Sequence, residues 1–220
     1  MDQSARSGGV AGSTAVAYEL IDHTDLRPEA TADDIRHACE VTQRFGCASV
    51  CVRPEWVALA RSTGDLPISV VIAFPTGEGT PPDKARETRA ALRDGATEID
   101  MVIDVAALQR GESVVSEILA VREAAPGLCL KVILETAALT DEQIIAGCLA
   151  AELAGADYVK TSTGYHPAGG ATTRAVSLMR ATVPALGVKA SGGIRSSEDL
   201  RAMVAAGATR IGTSATERLT

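Results

Sequence analysis

The feature that most constrains the fold is a helix-ending glycine that recurs four times, each time ahead of a β-prone run. Glycine suits the end of a helix because it adopts the left-handed backbone conformation without the steric cost of a Cβ atom. The glycines are Gly46, Gly95, Gly155 and Gly207, and the runs that follow them are residues 49–52, 98–103, 158–161 and 210–213. The repeat predicts a chain built from helix–strand units.

Four further β-prone runs and seven patterned helices complete this alternation. The additional strands are predicted at residues 18–23, 68–74, 129–135 and 187–191. The helices are predicted at residues 31–45, 54–62, 82–94, 113–125, 140–154, 171–182 and 196–206. Eight alternating strands predict an α/β fold, a small (β/α)8 TIM barrel with a short C-terminal helix. A doubly wound open sheet shows the same alternation and stays an alternative.

The length and composition fit a single domain. The chain has 220 residues, of which 46% are hydrophobic, and its mean hydropathy is +0.12. This is enough apolar material for a sizeable core. The barrel is predicted to occupy residues 14–220. Residues 1–13 are small and polar and are predicted to form a disordered tail.

The charge balance argues against several classes of partner. A net charge of -7, a pI near 5.0 and only six aromatic residues predict no nucleic-acid partner. No stretch reaches the roughly 20 apolar residues that span a bilayer, so no membrane partner is expected. The five cysteines, at positions 39, 47, 51, 129 and 148, lack metal-binding spacing. They predict reduced thiols and a cytoplasmic location.

Lysine side chains at strand ends are the first candidates for chemistry. Lys160 lies at the C-terminal end of the predicted strand 158–161, and barrel active sites lie at the C-terminal ends of the strands. A lysine with its ordinary pKa of roughly 10.4 is protonated at neutral pH, so it becomes a nucleophile only if burial or a nearby cation lowers that pKa. Lys189, on the next predicted strand, supplies such a cation. A solvent-facing Lys160 at the strand end is the alternative.

Acidic residues are predicted to face the same barrel interior. Side chains alternate along a strand, so Asp100 and Asp104 are expected to share one face, as are Lys131 and Glu135. Charges on short apolar strands must be paired or functional, because burying one alone costs several kcal/mol. A structural ion-pair network is as good an interpretation of Lys131 and Glu135 as a catalytic one.

Glycine-rich loops predict a phosphate site. Gly192 and Gly193 follow the seventh strand and precede a helix, while Ser214 follows the eighth strand. Loops at these two positions commonly bind phosphate in barrels, through backbone N–H groups. Gly164, in the predicted rim beyond Lys160, strengthens the interpretation. A plain strand–helix connection is the alternative for the glycine pair taken alone.

Six motifs together make the sequence resemble the deoxyribose-phosphate aldolase family over nearly its whole length. They are IDHT at 21–24, EIDMVI at 98–103, KVILET at 131–136, VKTSTG at 159–164, VKASGG at 188–193 and RIGTS at 210–214. The resemblance implies a class I aldolase on a (β/α)8 barrel, without metal or other cofactor. Such an enzyme cleaves 2-deoxy-D-ribose 5-phosphate to D-glyceraldehyde 3-phosphate and acetaldehyde. A homodimer is also implied.

The resemblance also assigns roles. It implies that Lys160 forms the Schiff base, that Lys189 keeps Lys160 deprotonated and that Asp100 is the acid/base. Asp22 and Lys131 match supporting polar residues.

Three kinds of departure from the family pattern are visible. Asp104 replaces an asparagine, which is expected to raise the pKa of Asp100. Asp25 and Arg27 replace an apolar residue and a lysine after the strand-one motif, and Ala215 replaces a serine in the phosphate loop. The chain also lacks the longer C-terminal tail of some members.

Other functions stay open from sequence. A different phosphate-binding barrel, such as another class I aldolase or a sugar-phosphate isomerase, would share the phosphate rim but would not need acetaldehyde to form an imine. A non-catalytic sugar-phosphate-binding protein would keep the glycine loops and lose the lysine pair. The three histidines, His23, His37 and His166, are too dispersed to predict a metal site.

Overall fold

The computed structural model describes residues 16–219, and these form a closed barrel of eight parallel strands in chain order. The (β/α)8 prediction is therefore confirmed. The predicted disordered tail, residues 1–13, lies outside the described residues. The strands are β1 Ile21–Asp25, β2 Ser49–Val52, β3 Ile68–Ile72, β4 Glu98–Val102, β5 Cys129–Ile133, β6 Tyr158–Lys160, β7 Gly187–Ser191 and β8 Arg210–Thr213.

Helices cover the outside of the barrel. They are α1 Ala32–Phe45, α2 Val57–Ser62, α3 Pro81–Asp94, α4 Val105–Gln109, α5 Val115–Ala124, α6 Asp141–Leu153, α7 Thr173–Thr182 and α8 Ser197–Ala205. Single 3-10 turns occur at Tyr18–Leu20, Pro54–Trp56, Thr136–Ala138 and Thr216–Arg218. The last of these is the short C-terminal helix that the sequence predicts. Within residues 16–219, none of the helices has the length and apolarity needed to cross a bilayer.

The predicted elements differ most from the structure at β1 and after β4. The first strand was predicted at 18–23, but its first three residues form a 3-10 turn and the strand runs on to Asp25. The segment after β4 was predicted without a helix, yet α4 begins there because Asp104 caps it by accepting a hydrogen bond from the Ala107 amide. Side-chain capping of this kind satisfies a backbone N–H that has no partner within the helix.

Local signals explain where most helices begin and end. Four helices start with a capping box, in which a Thr or Ser caps the helix and the third residue of the first turn bonds back to it; the capping residues are Thr31, Thr80, Thr140 and Ser196. Gly46 and Gly95 end α1 and α3 in the left-handed conformation, with φ of 66° and 109°. These signals fix the helix lengths and so the positions of the strands between them.

The barrel separates apolar from polar side chains. The main hydrophobic core contains Ile21, Val50, Ile99 and Val188 from the strands, together with buried helix residues such as Ile35 and Val176. The alternate strand positions point into the barrel, and many of them are polar. Asp100 is level with Lys131 on the neighbouring strand, and Lys160 is level with Lys189. This register places the predicted site residues side by side.

Candidate active site

Lys160 lies at the C-terminal end of β6 and forms part of the wall of a cavity at the barrel mouth. The cavity has a volume of about 410 Å³. The Lys160 side chain is only 3% exposed. Among the described residues that line this cavity, Lys160 is the only lysine. The alternative of a solvent-facing strand-end lysine is therefore wrong.

Asp100 connects the three lysines of the barrel interior. Its Oδ2 lies 2.6 Å from the Nζ of Lys160 and 2.7 Å from the Nζ of Lys189. Its Oδ1 lies 2.8 Å from the Nζ of Lys131. Asp100, Lys131 and Lys189 are fully buried. Lys160 and Lys189, on neighbouring strands, thus both contact Oδ2 of Asp100. This arrangement could not be predicted from the sequence.

A second layer of charge lies below this centre. Asp22 forms an ion pair with Lys189, and its Oδ1 lies 2.9 Å from Arg210. The Nζ of Lys131 lies 2.5 Å from Glu98. The hydroxyls of Ser49 and Ser69 link these groups: Ser49 donates to Asp22 at 2.7 Å, and Lys131 donates to Ser69 at 3.1 Å.

Sequence reasoning missed Ser49, Ser69, Glu98 and Arg210. The signal that could have found Ser49 and Arg210 is the register, since each begins a strand and is level with a predicted site residue, Asp22 and Lys189 respectively. Ser69 and Glu98 are level with each other and not with a predicted site residue.

Charge balance within this network favours a neutral Lys160. Three carboxylates, of Asp22, Glu98 and Asp100, face three cations other than Lys160, namely Lys131, Lys189 and Arg210. The network is therefore neutral when Lys160 carries no proton. Burying an unbalanced charge is costly, so the interior disfavours a fourth cation.

The pKa shifts agree with this balance. Burial lowers the pKa of Lys160; the charge of Asp100 opposes this shift, and the positive charge of Lys189 adds to it. Burial also acts to lower the pKa of Lys189, but the carboxylates of Asp100 and Asp22 outweigh it and raise that pKa. Lys160 is thus the amine of the pair that loses its proton more readily.

Asp100 is held in its ionised form. Burial alone raises a carboxyl pKa, but the positive charges of Lys131, Lys160 and Lys189 outweigh it and hold the pKa of Asp100 well below its usual value. The expectation that Asp104 shares a face with Asp100 and raises its pKa was wrong. β4 ends at Val102, and the Asp104 side chain turns away to cap α4.

The expectation that Lys131 and Glu135 share a face of β5 was also wrong. β5 ends at Ile133, and Glu135 has a left-handed backbone with φ of 60°. The strand alternation therefore stops before Glu135, whose carboxyl group bonds to Thr163 and not to a lysine. Lys131 instead pairs with Asp100 and Glu98.

The predicted phosphate-loop residues Gly164, Gly192, Gly193 and Ser214 all line the cavity that contains Lys160. The three glycines have φ values of 84°, 90° and 83°, in the left-handed region that favours glycine. The loops also pack closely on Gly170, which sequence reasoning missed. A Cβ atom on Gly170 would lie 2.2 Å from the carbonyl oxygen of Gly192. Glycine at positions 164, 170 and 192 lets the three backbone segments that contain them approach one another closely at the cavity wall.

Asp25 and Arg27, two of the residues that depart from the family pattern, lie on the rim of the cavity. The Nη2 of Arg27 lies 2.6 Å from Asp25 and 3.0 Å from Asp34. All three residues line the cavity. Arg27 is thus held by two carboxylates, although exposure to solvent weakens each pair. Ala215, the departure in the phosphate loop itself, follows Ser214 in the chain and is buried.

Within residues 16–219, His, Cys, Asp and Glu side chains form no group of three or more arranged to hold a metal ion.

Comparisons with known proteins agree with this geometry. The family model described as DeoC/LacD family aldolase matches residues 16–215. A deoxyribose-phosphate aldolase from Corynebacterium diphtheriae is 52% identical over 202 residues, covering 90% of this chain and 92% of that protein. One from Mycobacterium tuberculosis is 51% identical over 204 residues, covering 90% and 91%. The deoxyribose phosphate aldolase from Aeropyrum pernix, described as having a unique tetrameric structure, has a TM-score of 0.85 at 33% identity. That alignment covers 92% of this chain and 88% of the relative.

Proposed function

The chain belongs to the DeoC/LacD family of aldolases, and on this basis we propose that it reversibly cleaves 2-deoxy-D-ribose 5-phosphate to D-glyceraldehyde 3-phosphate and acetaldehyde through a Schiff base on Lys160. The observation that carries the proposal is the position of Lys160. Its amine borders the cavity, has a lowered pKa and contacts an ionised carboxylate. A buried neutral amine beside an open cavity is the arrangement that imine chemistry requires.

The first step uses the neutral amine. Lys160 attacks the C1 aldehyde of the open-chain sugar, and loss of water leaves a protonated imine. This iminium draws electrons from the C2–C3 bond, which breaks as the C3 hydroxyl loses its proton. Glyceraldehyde 3-phosphate leaves, and the two remaining carbons stay on Lys160 as an enamine. Protonation of its terminal carbon followed by hydrolysis releases acetaldehyde.

Asp100 and Lys189 assist these steps from the barrel interior, on the side of Lys160 away from the cavity. Asp100 is ionised and touches the Lys160 amine, so it can accept a proton and stabilise the iminium charge. Because Asp100 is fully buried, its proton exchange with the C3 hydroxyl is assigned to a water in the cavity. Lys189 keeps the neighbouring amine neutral before attack. Asp22 and Lys131 hold Lys189 and Asp100 in place.

The phosphate is assigned to the glycine loops. Gly164, Gly192, Gly193 and Ser214 share the cavity with Lys160, and backbone N–H groups in left-handed glycine turns bind anions. Holding the phosphate there fixes the aldehyde relative to the amine, which converts binding energy into orientation. The partners are thus a phosphorylated sugar and acetaldehyde. The homodimer and the cytoplasmic location stay predictions.

Borohydride reduction in the presence of acetaldehyde tests the mechanism, and this chain suits the test unusually well. Its only lysines are Lys84, Lys131, Lys160 and Lys189, and all four are buried. The expected result is a reduced two-carbon adduct at Lys160, found by peptide mass mapping and absent from Lys160→Met. An adduct confined to the N-terminal amine, or no adduct, would exclude the imine mechanism. Enzymatic release of glyceraldehyde 3-phosphate from the sugar tests the substrate separately.

A further inference from the structure

Glu135 is a buried acidic residue that the proposed mechanism does not use. It is 2% exposed and lies just beyond the end of β5, with φ of 60°. A residue other than glycine in the left-handed region is uncommon and strained, and such strain persists where the surroundings hold it. This strained residue is next to the mouth of the candidate active site, because it bonds to Thr163, which lines the cavity.

All the hydrogen bonds of the Glu135 carboxyl group go to one residue. Its Oε2 accepts from the Thr163 amide at 3.2 Å and from the Thr163 hydroxyl at 2.5 Å. Its Oε1 is buried and has no hydrogen-bond partner among the described residues. Within residues 16–219, no lysine or arginine forms an ion pair with Glu135. The carboxyl group therefore belongs to the Thr163 loop and is separate from the charge network in the barrel.

Thr163 lies between the two parts of the proposed site. It follows Lys160 by three residues, precedes Gly164 and lines the same cavity as both. Its hydroxyl oxygen accepts a hydrogen bond from the Tyr165 amide at 3.1 Å. The other side of this loop is held by Ser191, whose hydroxyl donates to the Ser162 carbonyl at 2.5 Å. The loop 161–164 is thus clamped between the ends of β5 and β7.

We infer that Glu135 is a positioning residue, which fixes the loop 161–164 and so sets the distance from the Lys160 amine to the phosphate-binding backbone of Gly164. The inference rests on the proposed function. Lys160 itself is held by β6 and Asp100, so its amine does not depend on Glu135. Loss of Glu135 therefore disturbs the phosphate anchor and spares imine formation with a substrate that has no phosphate.

Two substitutions of Glu135 separate the effect of losing its carboxyl group from the effect of its strained backbone. Glu135→Gly removes the carboxyl group and suits the left-handed backbone. Glu135→Gln keeps an acceptor oxygen for Thr163. We expect Glu135→Gly to raise KM for 2-deoxy-D-ribose 5-phosphate by about tenfold or more, the scale of a lost hydrogen bond to a charged group. The rate of acetaldehyde trapping on Lys160 should stay within about twofold of wild type, and Glu135→Gln should recover most of the loss in KM.

Thr136→Val is the matched control. The Thr136 hydroxyl is also buried beside this loop, but it has no hydrogen-bond partner among the described residues, so its removal should leave KM and trapping unchanged. An unchanged KM in Glu135→Gly would overturn the inference. So would an equal loss of trapping and sugar cleavage, because a general structural defect affects both.

Amide hydrogen exchange separates failure of this inference from failure of the proposed function. The Thr163 amide donates to Glu135, so it should exchange faster in Glu135→Gly than in wild type or Thr136→Val, whatever the substrate is. Wild-type protein that forms no acetaldehyde adduct would reject the proposed function alone. Unchanged exchange at Thr163 would reject the role of Glu135 alone.

Discussion

At the scale of single residues, the Lys160–Lys189 pair predicts how imine formation depends on pH. Lys189 is one of the groups that lower the pKa of Lys160, so Lys189→Met should raise that pKa. The reactive form is the neutral amine, and trapping should therefore increase as pH rises through the Lys160 pKa. In Lys189→Met this increase should shift to higher pH. The measurement is the rate of acetaldehyde-dependent borohydride trapping across a pH series.

The charge-conserving substitution Lys189→Arg is the control for this prediction. It keeps a cation beside Asp100 and Asp22, so the pH at half-maximal trapping should stay near the wild-type value. Thermal melting of both variants checks that they are folded. If Lys189→Met and wild type gave the same pH profile, the charge of Lys189 would have no part in activating Lys160.

Asp100 is predicted to matter for both stability and chemistry. Asp100→Asn removes the carboxylate that contacts three buried lysines and leaves the charges of Lys131 and Lys189 underbalanced. Breaking a buried ion pair from one side typically costs about 3–5 kcal/mol of unfolding free energy. We expect a loss of that size in urea denaturation, together with loss of trapping. Asp104→Asn is the matched control, since asparagine caps a helix as well as aspartate and Asp104 faces away. Equal effects of the two substitutions would contradict the assignment.

At the scale of elements, the close packing of the glycine loops gives a prediction about substrate binding. A Cβ atom at position 170 would lie 2.2 Å from the Gly192 carbonyl oxygen, so Gly170→Ala must displace the loop after β7. A shift of this kind should raise KM for the phosphorylated sugar by about 10–100-fold, while acetaldehyde trapping at Lys160 changes little. Steady-state kinetics and trapping on the same preparation test this.

Gly111 provides the control for the glycine loops. Gly111 has φ of 79°, but nothing lies within 4 Å of the position of its Cβ atom. Gly111→Ala should therefore cost about 1–2 kcal/mol of stability through backbone strain alone and leave KM unchanged. If Gly170→Ala left KM at its wild-type value, the loop after β7 would not contact the phosphate.

The elements also show what the sequence could and could not predict. Helix-ending glycines and the alternation of helical and β-prone segments were sufficient to predict the eight strands, because these signals are local. They failed where a strand ended early. In the sequence, Asp104 and Glu135 continue the alternating polar pattern of β4 and β5. In the structure both lie beyond the strand ends, because Asp104 caps α4 and Glu135 has a left-handed backbone. The meeting of Lys160 and Lys189 at one Asp100 oxygen depends on three strands far apart in sequence.

At the scale of the whole molecule, lysine is confined to the interior. All four lysines are buried, three of them inside the barrel, so no lysine contributes positive charge to the surface of the chain within residues 16–219. Lys84 is the fourth and pairs with Glu117 outside the barrel, where it also donates to the Val102 carbonyl at the end of β4. The polar interior is thus tied to the helical layer through β4. Its charges contribute to global stability as well as to the candidate site.

The free energy of unfolding of the whole molecule should decrease as the pH is lowered from neutral to mildly acidic, because of His23. Burial is the main cause that lowers the pKa of His23 to about 4 from an ordinary value of 6.5; the charges of Glu217 and Asp25 oppose the shift, and His37 adds to it. The unfolded chain therefore binds this proton at higher pH than the folded chain does. Stability from the neutral ring is complete above pH 6.5 and is lost as pH falls towards 4. We expect a loss of about 2 kcal/mol between pH 7 and pH 5 from this group, measured by urea denaturation.

Comparison with His23→Gln isolates the contribution of that ring. Glutamine does not titrate and can take over the hydrogen bond that joins His23 Nδ1 to the Thr216 hydroxyl at 2.8 Å. Glu87 and Glu117, whose pKa values are raised mainly by burial, change stability with the opposite sign over part of this range. They are present in both proteins, so the difference between the two pH profiles belongs to position 23. The variant should have the flatter profile, and parallel profiles would show that His23 takes up its proton without cost in the folded chain.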